Sequence, residues 1–460
     1  MTQASFVIGM HPVLRFLIVF FCVAALAACD NDNNNSKSKA ELTAPPSDCF
    51  WVAQVTPAIE EADNVVRPDL NISYAIAIYQ LPENALYFTL ENEFPYARLM
   101  SLTSFDGERR IVDYIIDKEI SPEPGSTNPF VPGNARNDPS RIYRIAVAPE
   151  GEQQNSISED PANLLLTKRE PSILINRIYL PDNGGTVWGN VGLPRVTLHM
   201  SDGSILQGEE ACHAMNLFEH YETTRTDQWT ASEYAATRGA VDPSQDPPKF
   251  RATWGYKFLK QCDFGGNCDS LPVDNAPLQA GDASNLYSFL SREHGAVLAI
   301  RAKLPETPVT SNGEDFAVEG QLRYWSICSY EYYSERAKYC LYDEQVQVND
   351  DGYYTIVISR DQDLPDNATR ECGVSHLGWS ENGDGFGVIE EGRENFSDDG
   401  FMYIRNVAPS TGFTQVAPLP DTIDEEGQME DYLPKGRYFS KEEFEGLGCN
   451  PWLALPYDDM

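Results

Sequence analysis

The sequence predicts a mainly β protein made of two tandem, related antiparallel domains, each a β-sandwich or a barrel, joined by a short, partly helical connector. Three observations predict this fold class. Short apolar runs alternate with clusters of Pro, Gly, Asn and Asp, helical periodicity is scarce, and one segment recurs in edited form about half the chain later. Many short strands without helical crossovers favour antiparallel sheets packed on each other or closed into a barrel.

The repeated segment is Leu322–Glu331, and its earlier copy is Ala97–Asp106. Both copies place an Arg, two Ser residues, an aromatic residue and a carboxylate at the same spacing. The likeness continues downstream through the next apolar run and its Asp, and then through 141–147 and 352–358. The chain therefore looks like one module used twice.

The chain length of 460 residues makes two or three domains the expectation, and the repeat favours two. We predict the following division: signal peptide 1–28, lipidated cysteine and flexible tether 29–48, first β domain 49–221, connector 222–284 and second β domain 285–460.

Strands are predicted in the first domain at 73–79, 86–90, 98–105, 141–148, 172–180 and 195–200, and in the second at 296–302, 321–330, 338–346, 353–359, 387–390 and 401–407. The connector contains a predicted short helix, 230–238, closed by Gly239. A second small helix is predicted after Ser440, because Glu443 follows this cap at capping-box spacing.

The first 29 residues contain no acid and an apolar run, 16–28, that is too short to span a bilayer, so they predict an export signal. The end of this segment, Leu26-Ala27-Ala28-Cys29, resembles the lipobox of bacterial lipoproteins. That resemblance implies cleavage before Cys29 and acylation of its thiol, which makes a membrane a partner and leaves the leaflet open. The alternative is an ordinary cleaved signal with Cys29 free. The polar segment 30–48 is predicted to be a tether facing the periplasm.

Eight cysteines remain once Cys22 leaves with the signal and Cys29 is lipidated, and an even number in an exported chain predicts disulfides. Position suggests two pairs, Cys262–Cys268 across a turn and Cys328–Cys340 in neighbouring strand-like runs. Cys49–Cys212 would then bracket the first domain, and Cys372–Cys449 would tie back the C-terminal segment. No Cys pair has zinc-finger spacing, so disulfides are preferred to a metal site.

The formal charge of -36 and the pI near 4.4 argue against nucleic acid as a partner, because binding to phosphates depends on Lys and Arg. The plainer interpretation of this charge is a soluble exported surface. The sharper one is calcium or a cationic partner, since acidic Gly-rich turns occur in the second domain. None of these turns has EF-hand spacing, so the sequence predicts no metal site and no cofactor.

No nucleophile elbow, HExxH, GxGxxG or P-loop motif occurs in the sequence. The remaining candidate ligand-binding residues are the repeated charges Arg98, Asp117, Arg323 and Asp343. An Arg in one strand and an Asp in the next can meet as a bidentate pair, so structural ion pairs are preferred. A repeated groove for an anion or a sugar is the alternative. Aromatic residues around the second repeat could line such a groove, although core positions are the commoner fate.

Several runs resemble an uncharacterised family of exported bacterial proteins, and the resemblance covers most of residues 74–420: Pro122–Phe130, Arg177–Asp182, Tyr324–Ser326, Cys340–Val346, Asp351–Ile358 and Pro365–Thr369. The second domain also resembles a bacterial jelly-roll-like domain of unknown function. These resemblances imply β-sandwich architecture and no activity. The leading hypothesis is a non-enzymatic binding or scaffolding role toward an envelope glycan or protein. The alternative is an envelope enzyme that acts on glycans through paired carboxylates.

Overall fold

The computed structural model describes residues 41–57, 67–151, 163–215, 230–252, 262–265, 280–389, 396–417 and 424–455. Within these ranges the chain is mainly β, and its helices are few and short. The strands are β1 (Ala53–Val55), β2 (Ile72–Tyr79), β3 (Ala85–Glu93), β4 (Ala97–Phe105), β5 (Ile111–Ile116), β6 (Ile142–Pro149), β7 (Leu164–Thr167), β8 (Ser172–Pro181), β9 (Arg195–Met200), β10 (Ile205–Gln207), β11 (Arg251–Ala252), β12 (Ala283–Ser291), β13 (Val297–Lys303), β14 (Leu322–Tyr330), β15 (Ala337–Tyr342), β16 (Tyr353–Ser359), β17 (Ser375–Gly378), β18 (Asp399–Pro409) and β19 (Lys435–Phe439).

The first repeat, strands β1 to β10, is a sandwich of two five-stranded sheets. One sheet has the order β1-β2-β8-β4-β5 and the other β10-β9-β3-β6-β7. Apolar side chains from both sheets meet in one core that includes Ala77, Phe88, Leu102, Ile145 and Leu198. The burial of these inward-facing side chains provides the main driving force for packing the two sheets together.

The second repeat, strands β11 to β19, has the same architecture. Its sheets have the orders β11-β12-β18-β14-β15 and β17-β16-β13-β19. Leu286, Ile300, Ile327, Ile356 and Ile404 lie in its core, and they come from both sheets. The fold class is therefore confirmed as mainly β, with two β-sandwiches.

The strands of the two repeats correspond in order, except that β10 has no counterpart in the four-stranded sheet of the second repeat. The sheet β1-β2-β8-β4-β5 of the first repeat and the sheet β11-β12-β18-β14-β15 of the second have the same strand order. In the other sheet of each repeat one pair of strands is parallel, β6–β7 in the first and β16–β17 in the second. Leu180 and Ala408, near the ends of β8 and β18, both have positive φ, at 46° and 49°. Because such a backbone is uncommon for residues other than Gly, its recurrence at matching positions supports a duplicated module.

Two elements of the structure lie inside the predicted connector. Strand β11 lies inside the predicted connector and pairs with β12. Helix α2 (Ala231–Ala240) lies there too, capped by Thr230 and Glu233 in a capping box, and it extends through Gly239 where the sequence predicted its end. The connector thus contributes a strand to the second sandwich.

The other helices are α1 (Glu209–Ala214), α3 (Phe386–Ile389), α4 (Glu425–Met429) and α5 (Lys441–Glu445). The last has the predicted capping box of Ser440 and Glu443. No helix in the described ranges is both long enough and apolar enough to cross a membrane.

The strand predicted at 387–390 is wrong, because the described part of this segment is helix α3. Asp384 precedes the helix, and its Oδ1 accepts a hydrogen bond from the backbone N–H of Phe386 at 2.9 Å. Gly385 has a φ of +77°, which turns the chain into the helix. The strand predicted at 338–346 is also shorter than expected, since Asp343–Gln345 forms a 3-10 turn.

Three of the four predicted disulfides are present: Cys49–Cys212, Cys328–Cys340 and Cys372–Cys449. Cys262 is also disulfide-bonded, while its predicted partner Cys268 lies outside the described residues. Disulfides persist in oxidising compartments, so these bonds indicate an extracellular or periplasmic protein.

We expect the Cys49–Cys212 bridge to contribute substantially to stability, because it closes a loop with a sequence separation of 163. Replacing both cysteines with Ala should lower the free energy of unfolding by about 2–5 kcal/mol. Urea denaturation followed by tryptophan fluorescence measures the change. A double variant that unfolds at the same urea concentration as the wild type would contradict this expectation.

Candidate functional site: the interface between the repeats

The four repeated charges predicted as candidate binding residues all lie where the two sandwiches meet. Arg98 and Arg323 are the second residues of β4 and β14. Asp117 and Asp343 open the 3-10 turns that follow β5 and β15. Three of the four side chains are essentially inaccessible, and that of Arg323 is 12% exposed.

The ion pairs connect the repeats crosswise. Arg98 Nη1 donates to Asp343 Oδ1 and Oδ2 at 2.5 and 2.6 Å. Arg323 donates from Nη1 to Asp117 Oδ1 at 3.0 Å and from Nη2 to Oδ2 at 3.2 Å. The sequence suggested an Arg pairing with the Asp of its own repeat. In the structure each Arg instead bonds to the Asp of the other repeat.

Each Asp also accepts a hydrogen bond from a backbone N–H of its own repeat. Asp117 Oδ2 accepts a hydrogen bond from the backbone N–H of Met100 at 2.8 Å. Asp343 Oδ2 accepts the matching bond from Trp325 at 3.0 Å. Arg323 also donates to the carbonyl of Arg98 at 2.7 Å, which ties the two pairs together.

Burial raises the pKa of both carboxyls, and the guanidinium facing each one opposes that rise. Apolar residues from both repeats form one buried cluster, which includes Leu99 and Tyr324, the residues that directly follow the two arginines in sequence. A buried charge that loses its partner is costly, so this geometry is suited to holding the two sandwiches in one relative position. The four side chains are bonded to other protein groups and do not line an open groove.

A second set of buried acids crosses the same interface. Asp69, just before β2, accepts hydrogen bonds at Oδ2 from the hydroxyls of Tyr324 and Ser326 at 3.0 and 2.5 Å. Arg405 lies 3.8 Å from the same oxygen. Oδ1 of Asp69 accepts hydrogen bonds from Asn71 of its own repeat, so both carboxylate oxygens have partners and those of Oδ2 lie in the second repeat.

Asp282 is placed similarly, just before β12, and it lies near Ser101 and Arg177 of the first repeat. Burial is the main cause that raises the pKa of Asp282 to about 6. Its own backbone N–H and the Ser101 side chain lower the pKa of this carboxyl, yet unlike Asp69 it makes no hydrogen bond of good geometry through either carboxylate oxygen among the described residues. The two crossing acids thus sit in unequal environments.

A long loop of the second repeat, residues 304–320 between β13 and β14, extends over this interface, and we call it the arm. Its base is fixed by Glu344, whose Oε1 accepts hydrogen bonds from the backbone N–H groups of Thr310 and Ser311 at 2.8 and 3.0 Å. Arg98 donates from Nη2 to Glu344 and from Nε to Thr310 Oγ1 at 2.8 Å. In the first repeat only residues 94–96 separate the corresponding strands.

A glycan-cleaving enzyme would need two carboxyl groups that face a bound sugar. Asp384 and Asp399 are the nearest fit among the described residues, because burial is the main cause that raises the pKa of each to about 6. Asp399, however, accepts two hydrogen bonds from Arg238, at 2.6 and 2.7 Å. Asp384 is fully buried and Asp399 nearly so. These acids do not line an open cleft where a sugar could reach both.

Other groups singled out in the sequence also have structural surroundings. Tyr324, Trp325, Tyr330, Tyr332 and Tyr354 are buried and form no exposed platform. One group in the described part of the chain brings three side chains of metal-ligand types together: one ligand atom from each of Asp69, Cys328 and Cys340 lies within 4.8 Å of the other two. Its two sulfurs are bonded to each other, so they are not thiolate ligands in this state.

No family model and no curated protein matches this chain. Solved structures to which the chain is similar include an uncharacterised protein from Burkholderia cenocepacia, with 11% identity, a TM-score of 0.45 and coverage of 85% of this chain and 82% of that one. A protein from Vibrio parahaemolyticus has 12% identity, a TM-score of 0.35 and coverage of 80% and 89%. Similarity at this level transfers no site residue to the present chain.

A double-mutant cycle should reveal the crosswise pairing. Arg98→Met leaves Asp343 buried and without its partner, so it should lower the free energy of unfolding by about 3–5 kcal/mol. Its coupling energy with Asp343→Asn should reach about 1–3 kcal/mol. Denaturant unfolding of the single and double variants measures both values.

The matched control is the cycle of Arg98→Met with Asp117→Asn, because Asp117 belongs to the same repeat but bonds to Arg323. This coupling should be clearly smaller. A coupling with Asp117 that equals or exceeds the one with Asp343 would contradict the crosswise arrangement.

Asp282 should give the protein a distinctive pH dependence. Because its pKa is about 6 when folded and 3.8 as the reference value for the unfolded chain, the folded state holds a proton between these values that the unfolded state lacks. Stability should therefore fall as pH rises from about 4 to about 7, by up to about 3 kcal/mol from this group alone.

The comparison variant is Asp282→Asn, which cannot ionise. The stability advantage of this variant over the wild type should grow as pH rises through the same range, and urea unfolding at several pH values measures it. A difference that stays constant with pH would show that Asp282 does not titrate there.

Proposed function

We propose that the chain is a bacterial cell-envelope lipoprotein, anchored through lipid on Cys29 and facing the periplasm, with a non-enzymatic binding or scaffolding role. The observation that supports this most is the use of the repeated charges. Arg98, Asp117, Arg323 and Asp343 are buried and bond across the interface, where they hold two sandwiches together. A pair of domains held in one orientation suits a protein that presents surfaces to partners.

The lipid anchor is supported by the lipobox-like sequence that ends at Cys29 and by the polar segment that follows it. The disulfides fit the oxidising side of the membrane. Residues 1–40 lie outside the described part of the chain, so this proposal draws on their sequence alone. Two or more acyl chains would make membrane association stable.

The glycan-cleaving alternative receives less support. Its mechanism requires two carboxyl groups about 5–10 Å apart that flank a bound sugar. The best candidates, Asp384 and Asp399, are buried, and Asp399 is held by Arg238. A binding role requires no such pair.

Replacing Cys29 with Ser in the full-length protein should abolish acylation and release the chain from the membrane fraction. The wild type expressed in a Gram-negative host should incorporate a labelled fatty acid, and its mature N-terminus should begin with modified Cys29 in mass spectrometry. The control is Cys22→Ser, which alters the predicted signal but not the acylation site. An unmodified Cys29, or cleavage at another position, would refute the lipid anchor.

A further inference from the structure

The outer edge of the arm has unused backbone hydrogen-bonding groups. Phe316 faces Ala135 of the first repeat in an antiparallel bridge. On either side of it, Ala317 N donates to Asn134 O at 3.2 Å and Asp315 O accepts from Arg136 N at 2.9 Å. In this pattern the N–H and C=O of the facing residue point away from the partner strand. The backbone groups of Phe316 and Val318 have no hydrogen-bond partner among the described residues.

The same edge carries exposed apolar side chains. Phe316 is 58% exposed and Val318 is 53% exposed, and they are two residues apart, which is the spacing of side chains that share a face in a strand. Protected sheet edges usually show charges, bulges or Pro at such positions. An edge with free backbone groups and apolar side chains is the kind of surface that accepts an added strand.

The surroundings of this edge are acidic. Glu306, Glu314, Asp315 and Glu319 all lie in the arm and are exposed. The whole chain carries a formal charge of -36. A second copy of the same edge would bring like charges together, whereas a segment with Lys or Arg would complement them.

The arm is also held in place before any partner arrives. Glu344 and Arg98 fix Thr310 and Ser311 at its base. Asn183 N of the first repeat also donates to Ser311 O at 2.7 Å. A surface that is already ordered loses little conformational entropy on binding, so a short segment can bind with useful affinity.

We propose that the outer edge of the arm binds an extended, basic segment of a protein partner by strand addition. This inference rests on the proposed binding role and names its site and the class of its partner. The backbone groups of Phe316 and Val318 would form hydrogen bonds with the added strand. Alternate apolar side chains of the partner would contact the side chains of Phe316 and Val318. The Lys or Arg side chains of the partner would lie near the acidic side chains of the arm.

The test uses the full-length, disulfide-bonded protein and a fluorescent peptide of alternating Val and Lys as the probe. Fluorescence polarisation at about 0.15 M salt measures the affinity, since this ionic strength screens weak non-specific attraction. A peptide of alternating Val and Glu is the charge control, and we expect no binding by it.

Two variants separate backbone bonding from side-chain contact. Val318→Pro removes a backbone N–H that has no partner in the free protein, and Phe316→Ser removes the larger apolar contact. Each substitution should weaken binding of the Val-Lys peptide by about tenfold or more. Ile205→Ser is the matched control, because Ile205 is an apolar residue on β10 that is 56% exposed. This variant should bind the Val-Lys peptide with the affinity of the wild type. Circular dichroism and the thermal midpoint verify that the variants fold.

Three results would overturn the proposal: no binding of the Val-Lys peptide to the wild type, equal binding by the two arm variants and the wild type, or equal binding of the Val-Glu peptide. A wild-type dimer in sedimentation that Phe316→Ser dissociates would assign the edge to a second copy and also reject the basic partner. An envelope glycan or protein that raises the Tm of the wild type and of Val318→Pro equally would reject the arm as the site, while the proposed binding role would stand.

Discussion

The relative position of the two sandwiches depends on a pair of crossed ion pairs, Arg98 with Asp343 and Arg323 with Asp117. Each pair joins one charge from each repeat, and both are removed from water. Losing any one partner would leave a charge buried in an apolar interface, and that penalty is larger than the net gain of an intact buried pair. The interface therefore favours one arrangement strongly over slightly displaced ones. Its main effect is on specificity of assembly.

Much of the fold could be predicted from the sequence, because strands and disulfides leave local patterns. The predicted bridge between Cys328 and Cys340 needed only two neighbouring strands, and these residues are directly opposite each other in β14 and β15. The segment 387–390 was mistaken for a strand because its short apolar run gives the same periodicity in either structure. What decides it is the turn at Asp384 and Gly385, whose backbone conformation the composition alone does not specify.

The sequence could predict which residues form the candidate site but not which of them pair with each other. The repeat identified Arg98, Asp117, Arg323 and Asp343, yet pairing within repeats and pairing between repeats produce the same sequence pattern. Only the placement of one sandwich against the other distinguishes them. Asp69 and Asp282 were missed because they precede their strands in segments that do not resemble each other. The arm left a clearer signal, since the spacing between its flanking strands far exceeds the spacing between β3 and β4.

The crossed pairs have a further consequence for the origin of the architecture. When residue i of one half contacts residue j of the other, and j of the first contacts i of the second, the interface has the contact pattern of an isologous dimer. Arg98 with Asp343 and Arg323 with Asp117 follow this pattern within a single chain. A single sandwich carrying one Arg and one Asp could satisfy both charges only against a second molecule. Fusion of two copies makes that association independent of concentration. It also allows the two halves to diverge, and the arm and the different surroundings of Asp69 and Asp282 are such differences.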